Sequence, residues 1–283
     1  MATYPLTRID ALTPGRNRSA DLWRGAREQY GNDPKVGSAF VDDFVRPHNN
    51  SAVGYADGWY VGEAGTAGAT GESFATTGAA DGVCSLAATT GTDLQGVQAQ
   101  AGVSATVGEG IVTCKNANGK GDLIFEARIK LTDAAADTFF IGLAEPSAAA
   151  NTLLLNDNTL SLALDYIGFY RLDGGDIQFV CRNDNNGGTA VAFAEDVIAD
   201  ADAPTASDWI KLGFRVNADG SVEVFVDEVR VHKTSDDGDD IVISQDAVPI
   251  ELLTRTIAVA RGSTADNGTV GIDVDWIDAY VAE

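Results

Sequence analysis

Carboxylates are the side chains of this sequence best suited to chemistry, and two sets of them have the spacing of strand residues. Glu223 and Asp227 lie four positions apart, with Phe225 midway between them. Asp273 and Asp275 lie two positions apart, which puts both on one face of a strand. A retaining glycosidase needs two carboxyl groups about 5–5.5 Å apart. Because each set lacks a further acid, we expect solvated strand faces here and no catalytic pair.

Other kinds of site have equally little support in the sequence. His48 and His232 are far apart and have no serine or cysteine motif nearby, so no catalytic triad is indicated. The glycines of 62–71 are not followed by Lys-Ser or Lys-Thr, which excludes a phosphate loop. Residues 183–186 and 236–240 offer oxygen ligands for Ca²⁺ but lack the spacing of a calcium loop. We therefore predict a non-enzyme without catalytic, cofactor-binding or metal-binding residues, with a calcium site as the weaker alternative.

Aromatic side chains could stack on sugar rings, and Trp59, Tyr60, Trp209 and Tyr280 are the candidates. Trp209 and Trp276 lie within strand patterns, where a large aromatic residue usually packs in the core or on a sheet face. The aromatic residues are therefore compatible with a sugar-binding surface, which stays an alternative, but they do not require one.

The clearest structural signal is the segment 208–231. Apolar residues alternate with polar ones at 210–216 and again at 222–226, the period of strands with one buried face. Asn217-Ala218-Asp219-Gly220 supplies turn residues that tolerate a positive φ, and Asp227-Glu228 supplies a second tight turn. The segment predicts a three-stranded antiparallel meander.

Similar short strands are predicted along most of the chain. They are 40–44, 59–61, 83–88, 94–99, 123–131, 138–144, 167–171, 177–182, 190–193, 252–261 and 270–280. Residues 145–164 predict a loop or a short helix. No alternation of strands and helices and no fixed-period repeat appears, so an antiparallel two-sheet sandwich or jelly roll is the expected fold.

Composition limits the partners of the protein. A formal net charge of -23 over 283 residues makes binding to nucleic acid or anionic membrane through bulk charge unfavourable, although such acidity also accompanies saline habitats and simple solubility. Cys84, Cys114 and Cys181 are odd in number and widely spaced, so we predict buried free thiols. The sequence has neither an apolar signal region nor about 20 consecutive apolar residues, and a soluble protein made in a host cytoplasm is expected.

Residues 1–38 differ from the remainder, because they carry six basic and four acidic residues while the rest of the chain is strongly acidic. Three of the seven prolines lie there. We interpret this segment as an extended arm that docks on a partner, with a floppy terminus as the alternative. The residues predicted to bind the partner are Arg16, Arg18, Leu22, Trp23, Arg24, Arg27 and Tyr30.

Several of these segments resemble a known fold family. The pattern from Trp209 to Asp227, the closing residues 272–283, and FEARIKL with TFFIGLAE at 125–145 resemble the concanavalin A-like (laminin G-like) jelly roll. Residues 8–17 and 36–44 look like the start of tailed-phage virion proteins that carry this sandwich behind an arm. Glu228 departs from the pattern, because the fold often has Gly after Asp in that turn. The resemblance implies an all-β sandwich over 39–283 behind an arm over 1–38.

The resemblance also implies a function. The expected role is a non-catalytic capsid decoration or cement protein on the virion surface of a bacteriophage. It would bind the major capsid protein, with no nucleic acid or membrane partner. A homo-oligomer is expected, and a trimer is favoured. The alternative is a carbohydrate-binding module of a phage tail or receptor-binding protein, with a surface glycan as its partner. The glycosidases of this fold carry Glu-x-Asp-x-x-Glu on one strand, and this sequence has no such stretch.

Overall fold

The protein forms two antiparallel β-sheets. The computed structural model describes residues 18–19, 21–23, 37–44, 49–50, 54–56, 58–64, 72–77, 82–88, 96–101, 110, 112–114, 122–132, 137–147, 153–154, 159–184, 189–202, 204–205, 208–231, 241–261 and 270–282. The strands are β1 (Gly37–Asp42), β2 (Asn49–Asn50), β3 (Gly54–Ala56), β4 (Trp59–Ala64), β5 (Glu72–Thr77), β6 (Val83–Ala88), β7 (Gly96–Ala101), β8 (Val112–Thr113), β9 (Leu123–Leu131), β10 (Asp137–Ala144), β11 (Tyr166–Arg171), β12 (Ile177–Asn183), β13 (Val191–Ile198), β14 (Ile210–Val216), β15 (Val222–Val226), β16 (Val229–Arg230), β17 (Leu252–Arg261) and β18 (Val270–Ala282).

Within the described residues each sheet has nine strands, and their order follows a jelly-roll arrangement. Sheet A runs β16-β15-β14-β9-β18-β6-β5-β2, and β1 pairs with the free side of β18. Sheet B runs β13-β12-β11-β10-β17-β7-β4-β3, and β8 pairs with β17. Neighbouring strands within a sheet are often far apart in sequence, as a jelly roll requires. This arrangement confirms the predicted all-β, two-sheet sandwich.

The core lies between the two sheets and is built from alternate residues of each strand. Phe125 and Phe214 of sheet A stack with ring centroids 5.0 Å apart, and Phe179 of sheet B meets Phe214 edge-on at 5.5 Å. Because the side chains of a strand alternate between faces, the residues before and after each of these phenylalanines point outward. Cys84, Cys114 and Cys181 are buried free thiols, as predicted. Burial and the nearby Asp42 and Asp273 raise the pKa of the Cys84 thiol well above its usual value.

The meander forms as predicted, as β14, β15 and β16. Gly220 closes its first turn at φ +83, where a side chain would be strained. Asp227 and Glu228 occupy the second turn with φ values of 45° and 73°. Two successive positive φ values are those of a type I′ hairpin, so this turn uses the usual hairpin geometry without the usual glycine.

Four strands were not predicted, β2, β3, β5 and β8. The sequence from Glu72 to Thr77 forms β5, although its mixture of small and polar residues gives no alternating signal. Of the segment predicted as a loop or short helix, the described parts contain only an isolated bridge between Leu154 and Leu160. The helical elements among the described residues are two single turns, Asp200–Asp202 and Gln245–Ala247. None of the helices there is long and apolar enough to cross a membrane.

Candidate functional site on the outer face of sheet B

Two glutamines of β7 point away from the core. Val97, Ala99 and Ala101 belong to the core between the sheets, so the intervening Gln98 and Gln100 lie on the outer face of sheet B. Gln98 is only 5% exposed, and within the described part of the chain its side-chain oxygen Oε1 has no hydrogen-bond partner. Buried amide oxygens are nearly always hydrogen-bonded, so this one needs an explanation.

The strands beside Gln98 present small residues. Ala258 of β17 lies opposite Gln98 on one side, and Gly62 of β4 lies opposite it on the other. Gly96 precedes it on the same face of β7. Among the described residues, those directly beside Gln98 on this face are therefore small.

Gln100 continues the polar row toward one edge of the sheet. Its Nε2 donates to Thr256 Oγ1 and to the backbone oxygen of Glu145, both at 3.1 Å. Its Oε1 accepts from the backbone N–H of Ser147 at 2.9 Å. Gln100 thus fixes the chain segment that follows β10, and with it the position of the Glu145 side chain.

Four carboxylates meet at this edge of sheet B. Glu145 follows β10, Asp165 precedes β11, Asp184 follows β12 and Glu251 precedes β17. Antiparallel neighbours bring these strand ends together although the residues are distant in sequence. Asp165 is fully buried. We call Gln98, Gln100 and these four acids the amide–carboxylate row.

Asp165 holds the four acids together. Its Oδ1 accepts from the backbone N–H of Asp184 at 2.6 Å, and its Oδ2 accepts from that of Glu251 at 3.4 Å. Its own backbone N–H donates to Glu145 Oε2 at 3.4 Å. The backbone of Asp165 and its buried carboxyl group therefore tie together the segments that carry the other three acids.

Crowding of the acids changes their protonation. Burial raises the pKa of the Glu145 carboxyl above its usual value, and the charges of Asp184, Asp165 and Glu251 raise it further, against a backbone hydrogen bond from Asp165 that lowers it. Burial is also the main cause of the raised pKa of Asp165. Raised values keep a proton available at a higher pH, which is the property of a general acid.

The central part of the same face is closed by apolar side chains. Phe140, Tyr166, Tyr170 and Val180 project outward from β10, β11 and β12. They pack with Leu153, Leu154 and Leu160, which come from the segment between β10 and β11. Burial raises the pKa of Tyr166 to about 12. Any ligand on this face therefore has to approach along β7 and β4, beside the amide–carboxylate row.

The acids singled out in the sequence lie elsewhere, on the outer face of sheet A. Glu223 pairs with Arg230 at 2.9 Å, and the Oδ1 of Asp227 accepts from the backbone of Lys211. Asp273 and Asp275 pair with Lys130 and Arg128 at 3.0 and 2.6 Å, respectively. Glu223, Asp227 and Asp273 are at least partly exposed, as expected for a solvated strand face, whereas Asp275 is buried in its ion pair with Arg128.

The aromatic candidates divide between the core and the two outer faces. Trp59 is buried and donates from Nε1 to Asp42 at 2.6 Å. Trp209 lies under Arg128, whose guanidinium carbon is 4.6 Å from the ring centre. Tyr280 is buried on the outer face of sheet A. Tyr60 is half-buried and lies opposite Gln100, so it is the one candidate next to the amide–carboxylate row.

The arm residues fall into two groups. Arg18, Leu22 and Trp23 contact the outer face of sheet A of their own chain. The other predicted partner-binding residues, Arg16, Arg24, Arg27 and Tyr30, lie outside the described residues, as do both histidines and residues 236–240. Asn183, from the other calcium candidate, is buried and donates to the backbone oxygen of Asp246 at 3.1 Å. Within the described residues, no group of three or more His, Cys, Asp or Glu residues could hold a metal ion.

Sequence reasoning missed the amide–carboxylate row for identifiable reasons. The run Val97-Gln98-Ala99-Gln100-Ala101 alternates polar and small apolar residues, a signal that was available. The four acids gave no signal, because each is an isolated residue at a strand end and only the sheet topology brings them together.

Comparison with known proteins gives similarity of structure only. No family model matches the sequence, and no curated protein matches it either. A glycoside hydrolase family protein from Mycobacterium thermorestibile is similar over 85% of this chain and 99% of its own, with 11% identity and a TM-score of 0.48. A carbohydrate esterase from the Shiga toxin-encoding bacteriophage phi24B is similar over 80% and 91%, with 17% identity and a TM-score of 0.38. The Emp47p carbohydrate recognition domain is similar over 88% and 99%, with 11% identity and a TM-score of 0.43.

The fold is a concanavalin A-like jelly roll. These three proteins are described as a glycoside hydrolase family protein, a phage carbohydrate esterase and a carbohydrate recognition domain. Nothing in the comparisons supports a capsid decoration protein.

The expectation that the protein is not an enzyme is wrong. Solved structures with this layout include glycoside hydrolases and a carbohydrate esterase. The prediction relied on the absence of paired-carboxylate, triad, metal-binding and phosphate-loop motifs in the sequence. Motifs within one segment also do not reveal acids that the fold brings together, such as the four carboxylates from separate segments at one end of sheet B.

Proposed function

We propose that this protein binds a glycan on the outer face of sheet B, along the amide–carboxylate row. The observation that carries the proposal is Gln98, a buried amide whose Oε1 accepts no hydrogen bond from any residue that the structure describes. An unsatisfied buried acceptor costs about 1–3 kcal/mol. A ligand hydroxyl that donates to this oxygen removes the cost, so the site is built to gain from binding a hydroxyl-rich molecule.

The surroundings of Gln98 fit a sugar better than other ligands. Gly62 and Ala258, on either side of Gln98, are small, so neither side chain obstructs a ligand ring placed over them. Tyr60 stands at the edge of this strip with an apolar ring and a polar tip, a combination suited to sugar faces. Amides and carboxylates supply both donors and acceptors, as a ligand with many hydroxyl groups requires.

The charge of the site narrows the glycan class. Glu145, Asp165, Asp184 and Glu251 surround one end of the row, and the whole chain carries a formal charge of -23. A uronic-acid or sialic-acid polymer would be repelled. We therefore propose a neutral or amino-sugar polysaccharide.

Binding to a glycan array that includes bacterial surface polysaccharides tests the proposal. We expect the wild-type chain to bind neutral or amino-sugar glycans, and Gln98→Leu to weaken that binding at least tenfold. Gln178→Leu is the matched control, because Gln178 lies on the outer face of the same sheet and its amide already donates to Asp196 at 2.8 Å. Absence of binding by the wild type, or equal loss in both variants, would contradict the proposal.

A second candidate function is cleavage of the bound glycan. The raised pKa values of Glu145 and Asp165 favour it, because a protonated carboxyl beside ionised ones is the arrangement of acid catalysis. Glu145→Gln should then abolish release of reducing sugar while leaving binding intact. Glu223→Gln, on the other sheet, is the control. Equal release by both variants would exclude Glu145 from catalysis.

A place on a phage particle remains a further proposal, supported by the resemblance of residues 8–17 and 36–44 to virion proteins. A glycan-binding sandwich there would contact the bacterial surface. Mass spectrometry of purified particles checks this, and absence of the chain from the particles would contradict it. The role of capsid cement has less support than glycan binding.

A further inference from the structure

The outer face of sheet A holds a short segment of the arm in a defined groove. Glu126 is 1% exposed and lies at its centre. One of its oxygens, Oε2, accepts from Trp23 Nε1 at 2.6 Å, and the other, Oε1, accepts from the Ser19 hydroxyl. The Ser19 backbone N–H also donates to this carboxylate, at 3.1 and 3.2 Å. Glu126 thus binds the segment 18–23 near its start, at Ser19, and at its end, at Trp23.

The apolar part of the groove lies over a glycine. Gly213 of β14 faces outward, and a Cβ at this position would overlap the Cδ2 of Leu22. Leu22 is fully buried there and packs with Ile124, Phe225 and Tyr280. The slot above Gly213 therefore selects a protruding aliphatic side chain three positions after Ser19.

Arg18 occupies the third part of the groove. It forms an ion pair with the buried Asp278, and its guanidinium carbon lies 3.9 Å from the centre of the Trp276 ring. Among the described residues, Asp278 Oδ1 and Trp276 Nε1 have no hydrogen-bond partner. The groove therefore binds Arg18 through an ion pair and a cation–π contact, in addition to the hydrogen bonds of Glu126.

The chain leaves the groove with ample length to spare. Thirteen residues, 24–36, separate Trp23 from β1, and Gly37 pairs with Ala282, two positions beyond the Tyr280 that lines the groove. A connection of this length can reach about 40 Å when extended, whereas two strand positions span about 7 Å. The same segment can therefore reach the groove of an adjacent copy.

We propose that the groove formed by Glu126, Gly213 and Asp278 binds residues 18–23 of a second copy of this chain, so that copies associate by exchanging arms. The segment that fits is present in every copy. Its arginine matches the two buried acids of the groove, Glu126 and Asp278, in charge. Exchange of an identical element is a low-cost route to assembly, because each contact within the chain is replaced by the same contact between chains.

Complementation between two full-length variants tests the exchange. Leu22→Asp disables the segment and keeps the groove, whereas Gly213→Val blocks the slot and keeps the segment. We expect each variant alone to be monomeric and an equimolar mixture to form one-to-one dimers, read by native mass spectrometry with one partner isotopically labelled. The matched control is a chain with both substitutions, which should not pair with Leu22→Asp. A mixture that stays monomeric contradicts the proposal.

A second measurement covers the case in which a variant fails to fold. Labelled and unlabelled wild-type chains are mixed at high concentration, and mixed dimers are counted over time. We expect mixed dimers that fall at least tenfold with the milder Gly213→Ala and are unchanged with Asp21→Ala, since Asp21 is exposed beside the segment. Absence of mixed dimers in the wild type overturns the proposal, as do dimers that Gly213→Ala leaves unchanged.

Discussion

Two facing positions in sheet B require glycine, because the backbones of the neighbouring strands approach each other closely there. Gly142 of β10 lies opposite Gly168 of β11, and a Cβ on Gly168 would come within 2.5 Å of the Ile141 oxygen. The Phe140 ring lies over both glycines, 3.0 and 3.1 Å from the positions of their missing Cβ atoms. The ring covers backbone that the glycines leave bare, which stabilises glycine in a strand.

Substitution of this glycine should therefore destabilise the sandwich. We expect Gly168→Ala to lower the free energy of unfolding by about 1–3 kcal/mol, the usual cost of overpacking a core. Chemical denaturation monitored by tryptophan fluorescence measures it. Ala192→Val, an exposed change on β13 of the same sheet, is the control and should have little effect. Equal stability of Gly168→Ala and the wild type would contradict the close approach.

At the turn Asp227-Glu228, a substitution to glycine should instead stabilise the protein. Glu228 has φ 73°, and a left-handed conformation costs a residue with a Cβ about 1 kcal/mol. Its carboxylate is half-exposed in the ion pair with the buried Lys211, so loss of that pair offsets only part of the gain. We expect Glu228→Gly to raise the free energy of unfolding by about 0.5–1 kcal/mol. Glu228→Gln removes the charge but keeps the strain, so a similar gain in that control would show that strain is not the cause.

At the level of elements, strands were predictable where one face is apolar and the other polar. β9, β14, β15 and β18 show this alternation and were placed almost to the residue. β5 was missed because serine, alanine and threonine give no contrast between faces. The amide–carboxylate row was out of reach for a different reason, since its acids come from four strand ends that only the strand order of sheet B brings together.

The carboxylates of the row should oppose each other at neutral pH. The folded-state pKa of Glu145 is raised above its unfolded value. Ionisation therefore destabilises the fold, and the cost appears as pH rises above the unfolded pKa of about 4.3. We expect Glu145→Gln to stabilise the protein by a few tenths to about 1 kcal/mol at pH 7 and by little at pH 4, because the site is partly solvated.

Thermal unfolding of Glu145→Gln at the two pH values measures this difference. Glu195→Gln serves as the control, since Glu195 lies on the edge strand β13 away from the row. A gain that is equal at pH 4 and pH 7 would contradict electrostatic crowding as its cause.

At the scale of the whole molecule, acidity dominates the stability. Burial raises the pKa values of Glu126, Glu145, Asp165 and Asp278, and the chain has a formal net charge of -23. Groups with raised folded-state pKa values favour the fold at lower pH, and that contribution is lost as pH rises through those values. We expect the unfolding temperature to rise when pH falls from 8 to 5.5, and also when salt is added at pH 8.

Calorimetry over this range of pH and salt tests the expectation. An unfolding temperature that falls steadily between pH 8 and 5.5, or that added salt lowers at pH 8, would show that buried acids and self-repulsion do not limit stability.

The central claim is that a glycan binds on the outer face of sheet B. A crystal structure of the full chain with the strongest-binding glycan tests it most directly. We predict a sugar ring over Gly62 and Ala258, with a hydroxyl donating to Gln98 Oε1 at about 2.7–3.0 Å. A glycan bound on sheet A, or one that leaves Gln98 untouched, would contradict the account.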